Sequence, residues 1–279
     1  MIDILFCGND GVFDGMLTCT LSILRRTATD RPFRFFVFTM DASHIKAEYL
    51  PVSESHLKFF EDVIKEYDAR NSVLGIDVTE LYREEFSGCP NEGAYCSPYT
   101  LLRLLADRVD EISHKLLYLD VDILFNRDVC LLYDTDIESY EYAAARDHYG
   151  KYLISPDYIN AGVLLLNMSE IRRGGLFRRA RDLIRKKKLT FADQSAIIRS
   201  TKRKRLLAQK FNDQKYLHPH TVVRHFSKRL FWLPYPHTEN IKQWQISLLH
   251  RRLGCYAFDD ILYEYIYLKE KYNREVKND

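Results

Sequence analysis

Two aspartates separated by one residue, Asp120-Val121-Asp122, close the apolar run Leu116-Leu117-Tyr118-Leu119. Carboxylates so spaced just past a strand can both reach a hard divalent cation when the loop curls, and Mg²⁺ or Mn²⁺ held there can bridge the protein to a diphosphate. Such an ion neutralises the charge gathering on a departing nucleoside diphosphate. The same spacing suits two solvated aspartates at a strand end, so the neighbours must decide. His225, in Thr221-Val222-Val223-Arg224-His225-Phe226, is a candidate third ligand; a histidine after a strand equally serves as a structural hydrogen-bonding group. Asn160-Ala161-Gly162 precedes Val163-Leu164-Leu165-Leu166-Asn167. It reads either as a turn or as a place where small residues let a sugar approach the backbone while Asn160 donates to its hydroxyls. Taken alone, Asp193-Gln194 is a helix cap with a solvated neighbour.

Elements must place these residues. Ile2–Cys7 reads as a buried first strand ending at the turn Gly8-Asn9-Asp10-Gly11, and Phe33–Phe38, Ser72–Val78 and Lys115–Leu119 read as further strands. Between them, 16–25 and 55–67 carry helical spacing, and 99–107 is apolar on a helical repeat with Arg103 set into it. Strand–helix alternation predicts an α/β fold with a parallel sheet over this stretch, and ligands gather at the carboxyl ends of such strands. Asn9-Asp10 and Asp120-Val121-Asp122 both fall at such ends. Residues 142–146 and 161–167 add strands, 178–188 a basic helix and 192–200 a short helix. The basic stretch, with Lys202-Arg203-Lys204-Arg205, suits either a solvated helix face or a surface for an anionic acceptor or membrane. Beyond Phe231 aromatic residues crowd a mostly helical tail. We expect one catalytic domain over 1–230 and a helical C-terminal extension over 231–279, packed on the sheet or supporting a homo-oligomer.

The bulk numbers exclude other classes. With 279 residues, 46% of them hydrophobic, the chain can bury one large core. A net charge of +2 from 41 basic and 39 acidic residues gives no electrostatic footprint for nucleic acid. Cysteines at 7, 19, 89, 96, 130 and 255 make no CxxC pair or zinc spacing, which predicts reduced thiols in the cytoplasm. The N-terminus lacks a signal-peptide pattern, and no apolar run approaches the ~20 residues of a membrane span. A peripheral role at the inner membrane face remains compatible.

In order along the chain, Ile4-Leu5-Phe6-Cys7 with Asn9-Asp10, Leu117-Tyr118-Leu119-Asp120-Val121-Asp122, Asn160-Ala161-Gly162-Val163-Leu164-Leu165-Leu166-Asn167, Asp193-Gln194 and His225-Phe226 resemble family 8 of the glycosyltransferases. The likeness runs from Ile2 to about Phe226 and is greatest toward the bacterial lipopolysaccharide galactosyl- and glucosyltransferases. The resemblance implies a GT-A fold, a Rossmann-like mixed sheet flanked by helices. It implies Mn²⁺ or Mg²⁺, a UDP-hexose donor, retention of configuration, and a glycan or lipid-linked saccharide as acceptor. By position, Asp120, Asp122 and His225 match metal ligands. Cys7, Asn9, Asp10 and Val121 match the nucleotide site, and Arg103 a sugar- and diphosphate-contacting arginine. Asn160 and Ala161 match the sugar pocket, Asp147 and Asp193 carboxylates on donor hydroxyls, and Gln194 the residue on the β-face of the anomeric carbon.

The chain departs from the family in two places. Asn9 and Gly11 stand where Asp and Asn are usual. After the histidine, the pattern of small residues and a lysine before Pro-Trp gives way to Ser227-Lys228-Arg229-Leu230-Phe231-Trp232, which makes Lys228 or Arg229 the candidate diphosphate contact. Two other classes share features. A haloacid dehalogenase-type phosphatase also has Asp-x-Asp after a strand, but on its first core strand and followed by Thr or Val, where this chain has Ile123. A non-catalytic nucleotide-binding module would bind UDP without turnover.

Overall fold

A computed structural model describes residues 1–93 and 97–275. The first half alternates as expected through β1 (Ile2–Cys7), α1 (Phe13–Arg26), β2 (Phe33–Thr39), α2 (Glu54–Tyr67) and β3 (Ser72–Asp77), and adds a further helix, α3 (Thr79–Phe86), beyond those expected. A tight 3₁₀-type helix, Pro98–Arg108, then leads to β4 (Lys115–Leu119). There follow β5 (Ile123–Phe125), α4 (Cys130–Tyr133), β6 (Tyr142–Ala145), α5 (Gly150–Leu153), β7 (Val163–Asn167), α6 (Met168–Gly174), α7 (Leu176–Lys186), α8 (Ala192–Ser200) and β8 (Lys204–Leu207). The remainder holds β9 (Val223–His225), a hairpin of β10 (Arg229–Phe231) and β11 (His237–Glu239), α9 (Ile246–Leu253) and α10 (Asp259–Glu275).

Seven strands form one mixed sheet in the order β3-β2-β1-β4-β7-β6-β8. The four strands read from the alternating half are all parallel. Only β7 runs against its neighbours, β4 and β6, while β8 is parallel to β6. The reversal has a direct consequence for the site. Leu119, last in β4, pairs with Val163, first in β7, so the loop leaving β4 meets the loop entering β7. β5 and β9 form a separate antiparallel pair in which Ile123 faces His225.

Side chains alternate across the sheet, as the period of two in a strand requires. Ile2, Ile4 and Phe6 join Phe35, Val37, Leu117 and Leu119 in the core beneath α1, α2 and α10. Leu5, Cys7, Phe36, Phe38 and Tyr118 join the opposite core, beneath α3, the Pro98–Arg108 helix, α7 and α8. Each fully buried Phe or Leu contributes about 1.5–3 kcal/mol relative to exposure, which holds both faces of the strands that carry the site.

Two regions differ from expectation. The basic helix spans Leu176–Lys186, two residues earlier than expected. It is also less solvated than its charges suggest: Arg181 pairs with Asp107 and Glu85, Arg185 with Glu85 and Asp182, and Arg179 with Glu141. The tail begins with a β hairpin before its helices. α10 buries Ile261, Leu262, Tyr265 and Leu268 in the α1-side core, with Arg26–Asp260 and Lys269–Asp14 salt bridges along its flank. Tyr256, Tyr263 and Tyr267 remain exposed.

Candidate active site

One ligand atom from each of Asp120, Asp122 and His225 lies within 4.8 Å of the others. The His225 Nε2 is 3.1 Å from an Asp122 oxygen and 4.0 Å from an Asp120 oxygen. Register accounts for the meeting: the β5–β9 pairing sets His225 opposite Ile123, one residue past Asp122, and Phe226 N donates to Asp122 O at 2.7 Å. Two carboxylates and an imidazole at this spacing are a donor set that could hold a divalent metal ion. Burial opposes ionisation of Asp122, but His225 and Lys242 beside it hold its carboxyl far below the usual range. The pocket is therefore built for a charged carboxylate.

Each member of the triad is braced. The His225 Nδ1 is 3.0 Å from Asn212 Oδ1, so Nδ1 donates to that amide and the ring is oriented with Nε2 toward Asp122. Asn212, fully buried, donates onward to Asn160 Oδ1 at 2.9 Å, and Asn160 Nδ2 donates to Asp147 at 3.0 Å. Asp120 is braced by Arg103 Nη2 at 3.0 Å and Tyr118 OH at 2.6 Å. Arg103 is itself buried, stacks over the Tyr118 ring at 3.9 Å, donates to Ala161 O at 2.5 Å, and has Asp193 3.4 Å away. Burial drives the Asp193 carboxyl above its ordinary range despite the pull of Arg103. Burial likewise works against the Arg103 charge, yet Tyr118, Asp193 and Asp120 together raise its pKa. Asp193 lies in the first turn of α8, whose N-cap position is Phe191 rather than Asp193.

Gly162 explains the small residue ahead of β7. A Cβ there would lie 2.4 Å from His225 Cε1 and 2.8 Å from Asp120 Oδ2. The missing side chain makes room for the triad itself. The neighbouring Ala161 N donates to Gln194 Oε1 at 2.9 Å, which orients that amide.

Two clefts meet these residues. One, of about 490 Å³, is lined by Cys7, Asn9, Tyr99, Asp120, Val121, Asp122, Lys242 and Trp244. The other, of about 500 Å³, is lined by Asp147, Asn160, Gln194, Lys228 and Arg229, among others. Asp10 lines neither. It opens a short turn, Asp10–Val12, that aims its carboxylate at the start of α2, where Ser53 N donates at 2.8 Å and His56 Nδ1 lies at 2.7 Å.

Lys228 sits in the second cleft. The lysine against the triad is Lys242, whose ammonium pairs with Asp122. Gln243 donates to Val121 O at 2.7 Å, and Trp244 packs on Gly15, where a Cβ would lie 2.6 Å from its ring. Lys242-Gln243-Trp244 offers a lysine and a tryptophan like those of the expected pattern, with Gln243 between them, and lies past the β10–β11 hairpin. Asn212 carried no local signal.

The family model for glycosyl transferase family 8 matches residues 3–218. The chain belongs to this family. The sheet order and flanking helices are those of the GT-A fold, shared with the solved LgtC galactosyltransferase in complex with donor and acceptor sugar analogs (TM-score 0.66, 21% identity, covering 97% of this chain and 96% of that one). The glycosyltransferase GlyE of Streptococcus pneumoniae is also similar (TM-score 0.64, 16% identity, 95% of this chain, 63% of that one). Among curated sequences, the glycosyltransferase GlyA of Streptococcus pneumoniae is 27% identical over 198 residues, 70% of this chain. A Haemophilus influenzae protein is 31% identical over 106 residues, 34% of this chain. The matches span only 25% and 32% of those two proteins' lengths. Family membership sets aside the phosphatase alternative. Among the described residues, no helix is long and apolar enough to cross a membrane.

Proposed function

We propose that this glycosyltransferase moves a hexose, glucose or galactose, from a UDP-hexose to a hydroxyl of a glycan or lipid-linked saccharide, with retention of configuration and with Mn²⁺ or Mg²⁺ held by Asp120, Asp122 and His225. The observation that carries this reading is the convergence of those three side chains, from separate strand ends, with Lys242 beside them and a cleft on the nucleotide side. When bound, the ion supplies charge neutralisation for the departing diphosphate.

The chain's own groups have distinct tasks. Cys7, Asn9 and Val121 form the wall for the nucleotide, and Lys242 adds a positive charge toward the diphosphate. Arg103 fixes Asp120 and Asp193, so it positions rather than reacts. Asn160, Ala161, Asp147 and Asp193 frame the hexose. A covalent route to retention needs a carboxylate nucleophile. Gln194 offers an amide, Asp193 lies against Arg103, and Asp147 already accepts from Asn160 and from the Tyr149 and Gly150 N–H groups. These facts favour front-face attack by the acceptor hydroxyl, with the β-phosphate taking its proton and the Gln194 carbonyl stabilising oxocarbenium charge. The same reading puts the chain in the cytoplasm, peripheral to the inner membrane face. The free thiols of Cys7, Cys19, Cys89, Cys130 and Cys255 support that compartment.

The test is a panel of UDP-glucose, UDP-galactose and UDP-N-acetyl sugars with Mn²⁺, read by thermal shift and slow donor hydrolysis. At a hundred times Kd a true donor stabilises the fold by about 2.7 kcal/mol. Asp120→Ala and Asp122→Ala lose both signals. No shift with any UDP-sugar, or normal turnover by either variant in the presence of a chelator, overturns the proposal.

A further inference from the structure

The hairpin between His225 and Lys242 is the least explained part of the chain. Both flanking residues reach Asp122, so residues 226–241 form a loop tied at each end to the same carboxylate. Leu230 pairs with Thr238 across the hairpin, and both line the second cleft together with Arg229. Its tip carries Trp232, Leu233 and Tyr235 at 69%, 83% and 67% exposure. On the other rim, Tyr152, Leu153 and Ile154 at and just past the end of α5 are also exposed, and Leu153 and Ile154 run into the cleft. An apolar track therefore leads from solvent to Gln194. Charge follows the same path. The lining contains Lys215, Lys228 and Arg229 against one carboxylate, Asp147, whose oxygens are already engaged by Asn160, Tyr149 N and Gly150 N.

We propose that the 229–239 hairpin reads the acceptor, and that the acceptor is an anionic amphiphile: a saccharide carried on a lipid phosphate. The proposal rests on the reading of this chain as a sugar transferase, and takes the second cleft, which adjoins Gln194 and the hexose-framing Asp147 and Asn160, as the acceptor side. The apolar tip and the α5 rim receive the first part of the lipid chain. Lys215 and Arg229 meet the phosphate, where charge-assisted hydrogen bonds are strongest. The saccharide is left facing Gln194.

The experiment titrates the full chain with decyl phosphate below its micellar concentration, with decyl maltoside, and with inorganic phosphate, by calorimetry and NMR line broadening. Decyl phosphate is expected to bind at least about tenfold tighter than either control, since neither an apolar chain nor a phosphate alone uses both features. Arg229→Gln and the triple variant Trp232→Ser/Leu233→Ser/Tyr235→Ser should each weaken it by about tenfold, while the triple variant keeps wild-type UDP-sugar hydrolysis. Equal binding of decyl maltoside and decyl phosphate overturns the proposal, as does wild-type binding by both variants. Capture by phosphatidylglycerol vesicles without binding of monomeric decyl phosphate also overturns it, by showing a membrane patch instead of an acceptor cleft. Binding needs no turnover, so absence of UDP-sugar binding would be read separately as failure of the donor assignment.

Discussion

Gly162→Ala adds one methyl group between His225 and Asp120. The new Cβ would lie 2.4 Å from His225 Cε1, 3.0 Å from His225 Nδ1 and 2.8 Å from Asp120 Oδ2. Comfortable carbon contacts begin near 3.5 Å, so one partner has to retreat by about 1 Å. Neither retreats freely. His225 N donates to Asp213 O at 3.0 Å and its ring is held by Asn212, while Asp120 is held by Arg103 and Tyr118. Overpacking of this kind costs about 1–3 kcal/mol in stability. Displaced ligands lose metal affinity on the scale seen when outer-shell support is removed, about 10–100-fold, or roughly 1.4–2.8 kcal/mol. The assay is calorimetric titration of Mn²⁺ into wild type and variant, beside urea melts of both. The expected result is a modest fall in midpoint and a large fall in affinity. Unchanged Mn²⁺ affinity with an unchanged melt would refute the reasoning, because it would show that the triad does not depend on this close approach.

Other outcomes follow from the same contacts. Asn212→Ala should cost about 10–100-fold in Mn²⁺ affinity by releasing the His225 tautomer, whereas Asn212→Asp, which still accepts from Nδ1, should retain more; calorimetry and ¹⁵N shifts of the His225 ring check both. Arg103→Met leaves Asp120 and Asp193 without their buried cation and should destabilise the fold by about 3–5 kcal/mol, read from the urea midpoint. Glu141 is opposed by burial, but hydrogen bonds from Thr201, Lys202 N and Arg203 N, with the Arg179 charge, hold its pKa below the ordinary value. A depressed carboxylate stabilises fully above its unfolded pKa, about 4.3, and loses that contribution as pH falls through the folded value. Glu141→Gln should therefore flatten the acid limb of a urea-midpoint titration below about pH 5; an unchanged limb would show that Glu141 makes no such contribution.

Local pattern made much of the frame legible. β1, β2, β3, β4 and β7 are apolar or β-branched runs bounded by turn residues, and α1, α2 and α8 have helical spacing, so composition and period place them without reference to the rest of the chain. Asp120 and Asp122 could be set at the end of β4 for the same reason. What spacing cannot express is which strand ends meet. The reversal of β7 brings Gly162 to Asp120, and the β5–β9 register brings His225 to Asp122. Lys242 reaches Asp122 from beyond the β10–β11 hairpin, while Lys228 lines the second cleft. Asn212 becomes a brace only because the loop before β7 and the strand β9 both meet it, and Asp10, adjacent in sequence to Asn9, is turned toward α2 by a single tight turn. Sequence by itself determined these longer strands and helices and the acidic strand end, because those depend on neighbouring residues, whereas short elements such as β5, β9 and the β10–β11 hairpin carry too few residues to show a period. Only the tertiary structure decided the company those aspartates keep, because hydrogen-bond register and packing join residues whose separation along the chain leaves no periodic trace.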